Sequence, residues 1–130
     1  IDSPPSMGLL TINGLAAAEG LVIPVQCEYF ALEGLGQLLS TIDLVRNSLN
    51  PDLQIYGVLL TMYDKRNILS RQILNEIEKN FPGKVFESVI PRSVSLAEAP
   101  SYGQPILEFD SGSKGARAYR QLAKESIQLT

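Results

Sequence analysis

Short, continuous apolar runs alternate along this chain with longer stretches in which apolar residues recur every three or four positions. Leu21-Val22-Ile23-Pro24-Val25 is a run of the first kind, as are residues 55–62 and 85–90. Unbroken runs of this length fit strands buried on both faces of a parallel sheet. Pro24 has no amide hydrogen, so strand pairing is expected to end close to it. Leu32, Leu35, Leu38, Leu39, Ile42, Val45 and Leu49 share one helical face, and Asn50-Pro51 ends that helix. Ile68, Leu69, Ile73, Leu74, Ile77 and Phe81 mark a second amphipathic helix, closed by Pro82-Gly83. The pattern also predicts a Leu- and Ala-rich helix over 6–19 and a short helical or irregular segment over 93–102. A short extended piece is expected over 106–109. A last helix, capped by Ser111 or Ser113, runs to about residue 128.

Helices between strands imply right-handed crossovers, hence an α/β fold with a mainly parallel sheet flanked by helices. Ligands of such sheets bind beyond the carboxyl ends of the strands. The junctions 2–6, 26–31, 61–67 and 91–95 are therefore the places where chemistry is expected.

Composition narrows the field. At 130 residues there is room for one compact domain. Hydrophobic residues at 45% and charged residues at 19% suit a packed core and exclude a disordered chain. The absence of histidine excludes histidine-based triads and histidine-ligated zinc. One cysteine, Cys27, excludes an intramolecular disulfide, in keeping with a reducing cytoplasm. With no histidine to activate it, Cys27 reads as a half-buried structural thiol. No apolar run is long enough to span a bilayer. The net charge of −3 means that nucleic-acid binding would need a local basic patch. The chain opens at Ile1-Asp2 without methionine, which reads as the end of a strand that starts upstream. Residues 1–130 are accordingly expected to form a single partial domain.

Asp2 sits at that first strand mouth, followed by Pro4-Pro5. A carboxylate there can serve magnesium opposite a nucleotide phosphate, with the prolines fixing the loop. It can equally cap the following helix while the prolines shape a turn. On these residues alone the second reading is favoured.

Longer motifs change the balance. Ile1-Asp2-Ser3-Pro4-Pro5-Ser6-Met7-Gly8-Leu9-Leu10-Thr11 and the stretch from Val22 through Pro24-Val25-Gln26-Cys27-Glu28-Tyr29-Phe30 to Gly34 resemble the ParA/Soj partition ATPases. So do Gly57-Val58-Leu59-Leu60-Thr61-Met62-Tyr63-Asp64, Val89-Ile90-Pro91-Arg92-Ser93-Val94 and Ala97-Glu98-Ala99-Pro100-Ser101-Tyr102-Gly103-Gln104-Pro105-Ile106. The motifs run in order from one end of the chain to the other. The resemblance implies the C-terminal half of a P-loop NTPase of the SIMIBI type, with a deviant Walker A loop. It implies a homodimer formed with ATP and Mg2+, non-specific DNA binding, and ATP hydrolysis stimulated by a ParB/Spo0J-type partner. It also implies a cytoplasmic, nucleoid-associated protein that does not engage the membrane. Asp2 matches the Walker B aspartate, giving it the catalytic and metal role. Ser3 stands where cysteine is common. Pro4 and Pro5 match the switch loop behind the γ-phosphate. Thr61, Met62, Pro91 and Arg92 match the region that holds the adenine base.

A phosphate loop, G-x-x-x-x-G-K-[ST], is absent from these 130 residues. Gly83-Lys84 is followed by Val85, with Glu78 where the first glycine should stand. The chain alone is therefore expected to be inactive as an ATPase. Lys65, Arg66 and Arg71 cluster at one helix start, and Arg66 matches a DNA-contacting arginine of the family. Ser95 stands where several relatives carry another basic residue. Lys114, Arg117, Arg120 and Lys124 share one face of the last helix, with Ala116, Tyr119, Leu122, Ala123 and Ile127 expected on the other. Such a face is a solvated surface or, with Arg66 and Lys65, a phosphate-backbone contact. A binding module on the same scaffold, without ATPase activity, is the alternative. Unpaired sheet edges in a partial domain would also favour self-association.

Overall fold

The structure, a computed structural model, describes residues 1–3 and 6–128. In chain order the elements are α1 (Leu9–Ala17), β1 (Gly20–Gln26), α2 (Ala31–Ser48), β2 (Gln54–Thr61) and α3 (Ile68–Asn80). There follow α4 (Val94–Glu98), a 3-10 turn (Ala99–Tyr102), α5 (Ile106–Phe109) and α6 (Lys114–Ile127). β1 and β2 pair in parallel, from Gly20 opposite Gln54 to Gln26 opposite Thr61. The fold is α/β, as the run-and-helix pattern requires. Ile42 of α2, Val58 and Leu60 of β2 and Ile77 of α3 are buried together with Ile23, Val25 and Val45.

Pairing does not end at Pro24, which lies opposite Leu59 inside the ladder. The Cys27 amide donates to the Thr61 carbonyl on β2. Amides alternate in direction along a strand, so position 24 faces away from β2, where a missing N–H breaks no bond. Helix starts follow local chemistry. Asn67 caps α3 by accepting from the Leu69 amide, and Ser113 caps α6 by accepting from Ala116. Asn50, just past α2, donates to the carbonyls of Leu15 and Ala18 and so ties the end of α1 to the end of α2.

The third apolar run departs from a regular strand. It follows the other edge of β2, touching it at two parallel bridges, Val58 with Val85 and Tyr63 with Pro91. Phe86 N donates to Val58 O and Ile90 N to Leu60 O. The run thus advances from 86 to 90 while β2 advances from 58 to 60. The slack is taken up by α6. Glu125 accepts from the Glu87 amide at 2.9 Å through Oε1 and from the Ser88 amide at 3.0 Å through Oε2. Successive strand amides point to opposite sides, so one carboxylate can take two in a row only where the strand is broken. Lys84 lies 3.7 Å from the same carboxylate, whose side chain is 11% exposed. Burial pushes its pKa up, but the amides of Glu87 and Ser88 and the Lys84 charge outweigh that and hold it below the usual carboxylate range.

Residues 106–109 form one helical turn and not an extended piece. Glu108 and Phe109 amides both donate to the Pro105 carbonyl, and Asp110 donates to Ile106. Proline's fixed φ and its free carbonyl suit the start of a turn. The inward side of α6 also differs from expectation. Gly115 and Ala116 are buried and Ala118, Leu122 and Glu125 half-buried, whereas Tyr119, Ala123 and Ile127 are exposed. Gly115 is held small by Leu96, whose Cγ would lie 2.7 Å from an added Cβ. No helix among the described residues is long and apolar enough to cross a membrane.

Glu125→Gln is expected to destabilise the fold by about 1.5–3 kcal/mol near pH 7, the range for hydrogen bonds to a charged group. A carboxylate whose folded pKa is depressed stabilises fully above its unfolded value, about 4.3, and loses that contribution as pH falls through the folded value. Urea titrations should therefore show the gap between wild type and Glu125→Gln closing below about pH 4.

Candidate nucleotide-facing rim

Parallel strands bring the carboxyl ends of β1, β2 and the third run to one rim. Cys27 N donates to Thr61 O, Tyr63 N to Ile90 O, and Arg92 N to Tyr63 O. These bonds lay the loops 27–28, 61–63 and 90–92 side by side, with β2 in the middle. Met62 adopts φ 51°, the left-handed region that a side chain rarely enters. It adds one residue on the β2 side, so that Tyr63 rather than Met62 meets Ile90. The strain sits one residue beyond the end of β2.

Charged side chains cross this rim. Arg92 Nη2 lies 3.4 Å from Glu28 Oε1, and both are exposed. Glu28 stands on the β1 side and Arg92 on the third run, so the pair reaches over the end of β2. Beside it, Asp64 accepts from the Arg66 amide at 3.0 Å, from Nε at 3.2 Å and from Nη2 at 3.3 Å. The Arg66 side chain and amide, with a further pull from Arg92, hold the Asp64 carboxyl below its usual range, and Asp64 raises Arg66 in turn. Cys27 is buried, and burial pushes its thiol pKa up. That keeps it protonated and unreactive at neutral pH. Tyr29 and Phe30 follow, exposed and packed edge to face with ring centroids 5.1 Å apart.

Comparison with known proteins gives this rim a context. An "AAA domain" family model matches residues 1–55. The sporulation initiation inhibitor protein Soj of Bacillus subtilis is 59% identical over 125 residues, which are 96% of this chain and 49% of that protein. The chromosome partitioning protein ParA of Caulobacter vibrioides is 53% identical over 98% of this chain and 48% of its own length. The chain is homologous to the Soj and ParA partitioning proteins over 96% and 98% of its length, respectively. It spans about half the length of the curated relatives it matches. Among solved structures, cobyrinic acid a,c-diamide synthase from Mycobacterium smegmatis superposes with a TM-score of 0.74 at 40% identity, over 95% of this chain and 43% of that one. A further structure of that synthase, with bound ATP analog and magnesium, gives 0.73.

The residues singled out by the ParA/Soj resemblance fall into three groups. Thr61, Met62, Pro91 and Arg92 come together at the rim, through the backbone bonds that join Tyr63 to Ile90 and Arg92. Lys65 and Arg66 occupy the loop leading from it into α3, while Lys114 and Arg117 lie exposed on α6. Asp2 is exposed, between Ile1 and Ser3, which lie against the middle of α1: a Cβ at Gly14 would be 3.6 Å from Ile1 Cγ2 and 3.5 Å from Ser3 Oγ. Among the described residues no hydrogen bond or ion pair joins Asp2 to the rim. Pro4 and Pro5 lie outside the described residues. No group of three or more His, Cys, Asp or Glu among the described residues could hold a metal ion. Sequence reasoning placed Glu28 near the ligand edge without a catalytic role, and missed that Glu28 pairs with Arg92 and Asp64 with Arg66. Opposite charges just beyond the two strands that flank β2, Glu28 and Arg92, were the available signal.

Arg66→Ala should let the Asp64 carboxyl titrate higher, toward its ordinary range, as followed by carbon-detected NMR of its carboxyl group. An unchanged titration would mean that the bidentate pair does not persist in solution.

Proposed function

We propose that this chain is the base-binding and DNA-facing part of an ATP-dependent partitioning switch. The observation that carries the reading is its 59% identity to Soj of Bacillus subtilis across 96% of the chain, a span that includes every rim motif. In this reading the adenine base lies against the loops of Thr61, Met62, Pro91 and Arg92. Backbone N–H and C=O groups of these loops are the donors and acceptors with which a purine edge would pair. Asp2 offers a single carboxylate. Magnesium suits such a site because it keeps most of its coordination for water and phosphate oxygens and needs only one or two protein carboxylates. When bound it neutralises charge on the phosphates. The phosphates themselves need a glycine-rich loop with its lysine, which these 130 residues lack.

The working unit is then a cytoplasmic, nucleoid-associated homodimer, held together with ATP and acting with a ParB-type partner. Its DNA contacts come from Arg66 and Lys65 on one side and from Lys114 and Arg117 on α6. Such contacts read phosphate and not sequence. Arg66 is exposed beside a half-buried Asp64, and such a pair at the surface opens at little cost, so it does not bar Arg66 from phosphate.

The 130-residue chain by itself is expected to bind ATP weakly or not at all by isothermal titration calorimetry. Tight binding would sink the division of labour argued here. In the intact family protein, Arg66→Ala with Arg117→Ala should weaken binding to random duplex DNA at low salt and flatten the slope of log K against log salt by about 1–2. Retention of full affinity and slope would move the DNA surface elsewhere.

A further inference from the structure

Along the middle of the third run the buried positions alternate: Phe86, Ser88 and Ile90 face the core, while Glu87 faces out. Alternation alone permits more than one register, because a shift of two residues keeps every side chain on its own face. In an unbroken parallel ladder the amide that follows Phe86 on Val58 O would be Ser88 on Leu60 O. Instead Ile90 occupies Leu60 O, and Ser88 donates to Glu125. The regular register would carry Pro91 and Arg92 about 7 Å farther along the strand direction, at 3.3 Å per residue. Arg92 would then no longer lie opposite Glu28, and the Tyr63 bonds to Ile90 and Arg92 would be lost.

We propose that Glu125 is a positioning residue for the rim: by taking two successive amides it holds two residues of slack in the 84–92 segment and so decides where Pro91 and Arg92 come to lie. The inference rests on the nucleotide reading only for what the rim is used for. Lys84 assists by fixing the carboxylate from the start of the same segment. The site of action is remote from the residue: the Glu125 oxygens touch 87 and 88, and the consequence falls on 90 to 92. Removing the carboxylate leaves two amides without an acceptor, and the nearest remedy is for Ser88 to claim Leu60 O.

The test is residue-resolved amide hydrogen exchange on the 130-residue chain, comparing wild type with Glu125→Ala, Glu125→Gln and Lys84→Met. Cys27 N–H, bonded to Thr61 O on the opposite edge of β2, serves as the reference for general loss of stability. In Glu125→Ala the amides of Ile90, Tyr63 and Arg92 should exchange at least about tenfold faster relative to Cys27. A hydrogen-bond scalar coupling from Ser88 N to the Leu60 carbonyl should replace the one from Ile90 N. Glu125→Gln, with one acceptor oxygen, should fall between, and it decides the question alone if the alanine variant does not fold. Lys84→Met keeps both amide bonds and should stay near wild type. Equal acceleration at Cys27 and Ile90, or a change confined to Glu87 and Ser88, overturns the proposal. No nucleotide enters the measurement, so that failure leaves the nucleotide reading standing, and a failure of ATP binding leaves this register assignment intact.

Discussion

β2 is the element on which the rest hangs, because it is hydrogen-bonded along both edges. Val58 and Leu60 are completely buried. On one side β1 pairs with it in register, and on the other the third run follows it with a break. A parallel arrangement sends all three carboxyl ends to the same side, and crossover helices keep the loops between them short and outward. The rim is therefore a consequence of strand direction before any rim residue is chosen. Chemistry enters only through what stands one or two residues beyond each strand: Glu28, Met62 and Arg92.

How far the sequence disclosed this depends on the range of the forces involved. Strands and helices whose apolar residues repeat with a clean period were legible. α2 and α3 form where Ile42, Val45, Ile73 and Ile77 place them, and Asn67 and Ser113 cap as their side chains dictate. Pro24 misled because a missing amide matters only on the edge that pairs, and that edge depends on a partner strand thirty residues away. The break in the third run was hidden for a similar reason. Nothing in Val85-Phe86-Glu87-Ser88-Val89-Ile90 signals it, since the cause is a carboxylate on α6. The clue lay in α6 itself, where Ala118, Leu122 and Glu125 share a face and put an acid among apolar neighbours. Residues 106–109 read as extended because four residues are too few to show a period, and the turn there is made by Pro105.

The candidate site was legible in its parts and not in its pairings. Thr61, Met62, Pro91 and Arg92 were grouped from motif likeness, and the backbone bonds of Tyr63 with Ile90 and Arg92 bring their loops together. That Arg92 meets Glu28 and Arg66 meets Asp64 could not be read from spacing in the first case, because sixty-four positions separate the partners. In the second case the partners are only two residues apart, and an Asp-x-Arg spacing in a loop is compatible with many conformations besides the paired one. Glu28, Arg92 and Arg66 are exposed and Asp64 is half-buried, so both pairs lie where solvent reaches them and are readily exchanged for other charged groups. A rim bordered by such pairs presents cations and anions that a ligand or a phosphate backbone can reorganise without unfolding anything.

One acidic residue connects the two ends of the argument. α6 contains Lys114, Arg117, Arg120 and Lys124 but a single acid, Glu125. On a chain of net charge −3, an outward Glu125 would lie within a Debye length of about 10 Å of Arg120 and Lys124, at about 1.5 Å of rise per residue, and cancel part of their field. Turned inward it is consumed by two amides and by Lys84, and the exposed side of the helix is left cationic throughout. Among the described residues, Arg120 is partly engaged there, donating to the Ser111 carbonyl at 2.7 Å. The same side chain that breaks the third run thus takes the single acid of α6 away from its basic face. An overall acidic chain can in this way carry a locally basic surface, because screening makes the near field and not the sum decide what binds.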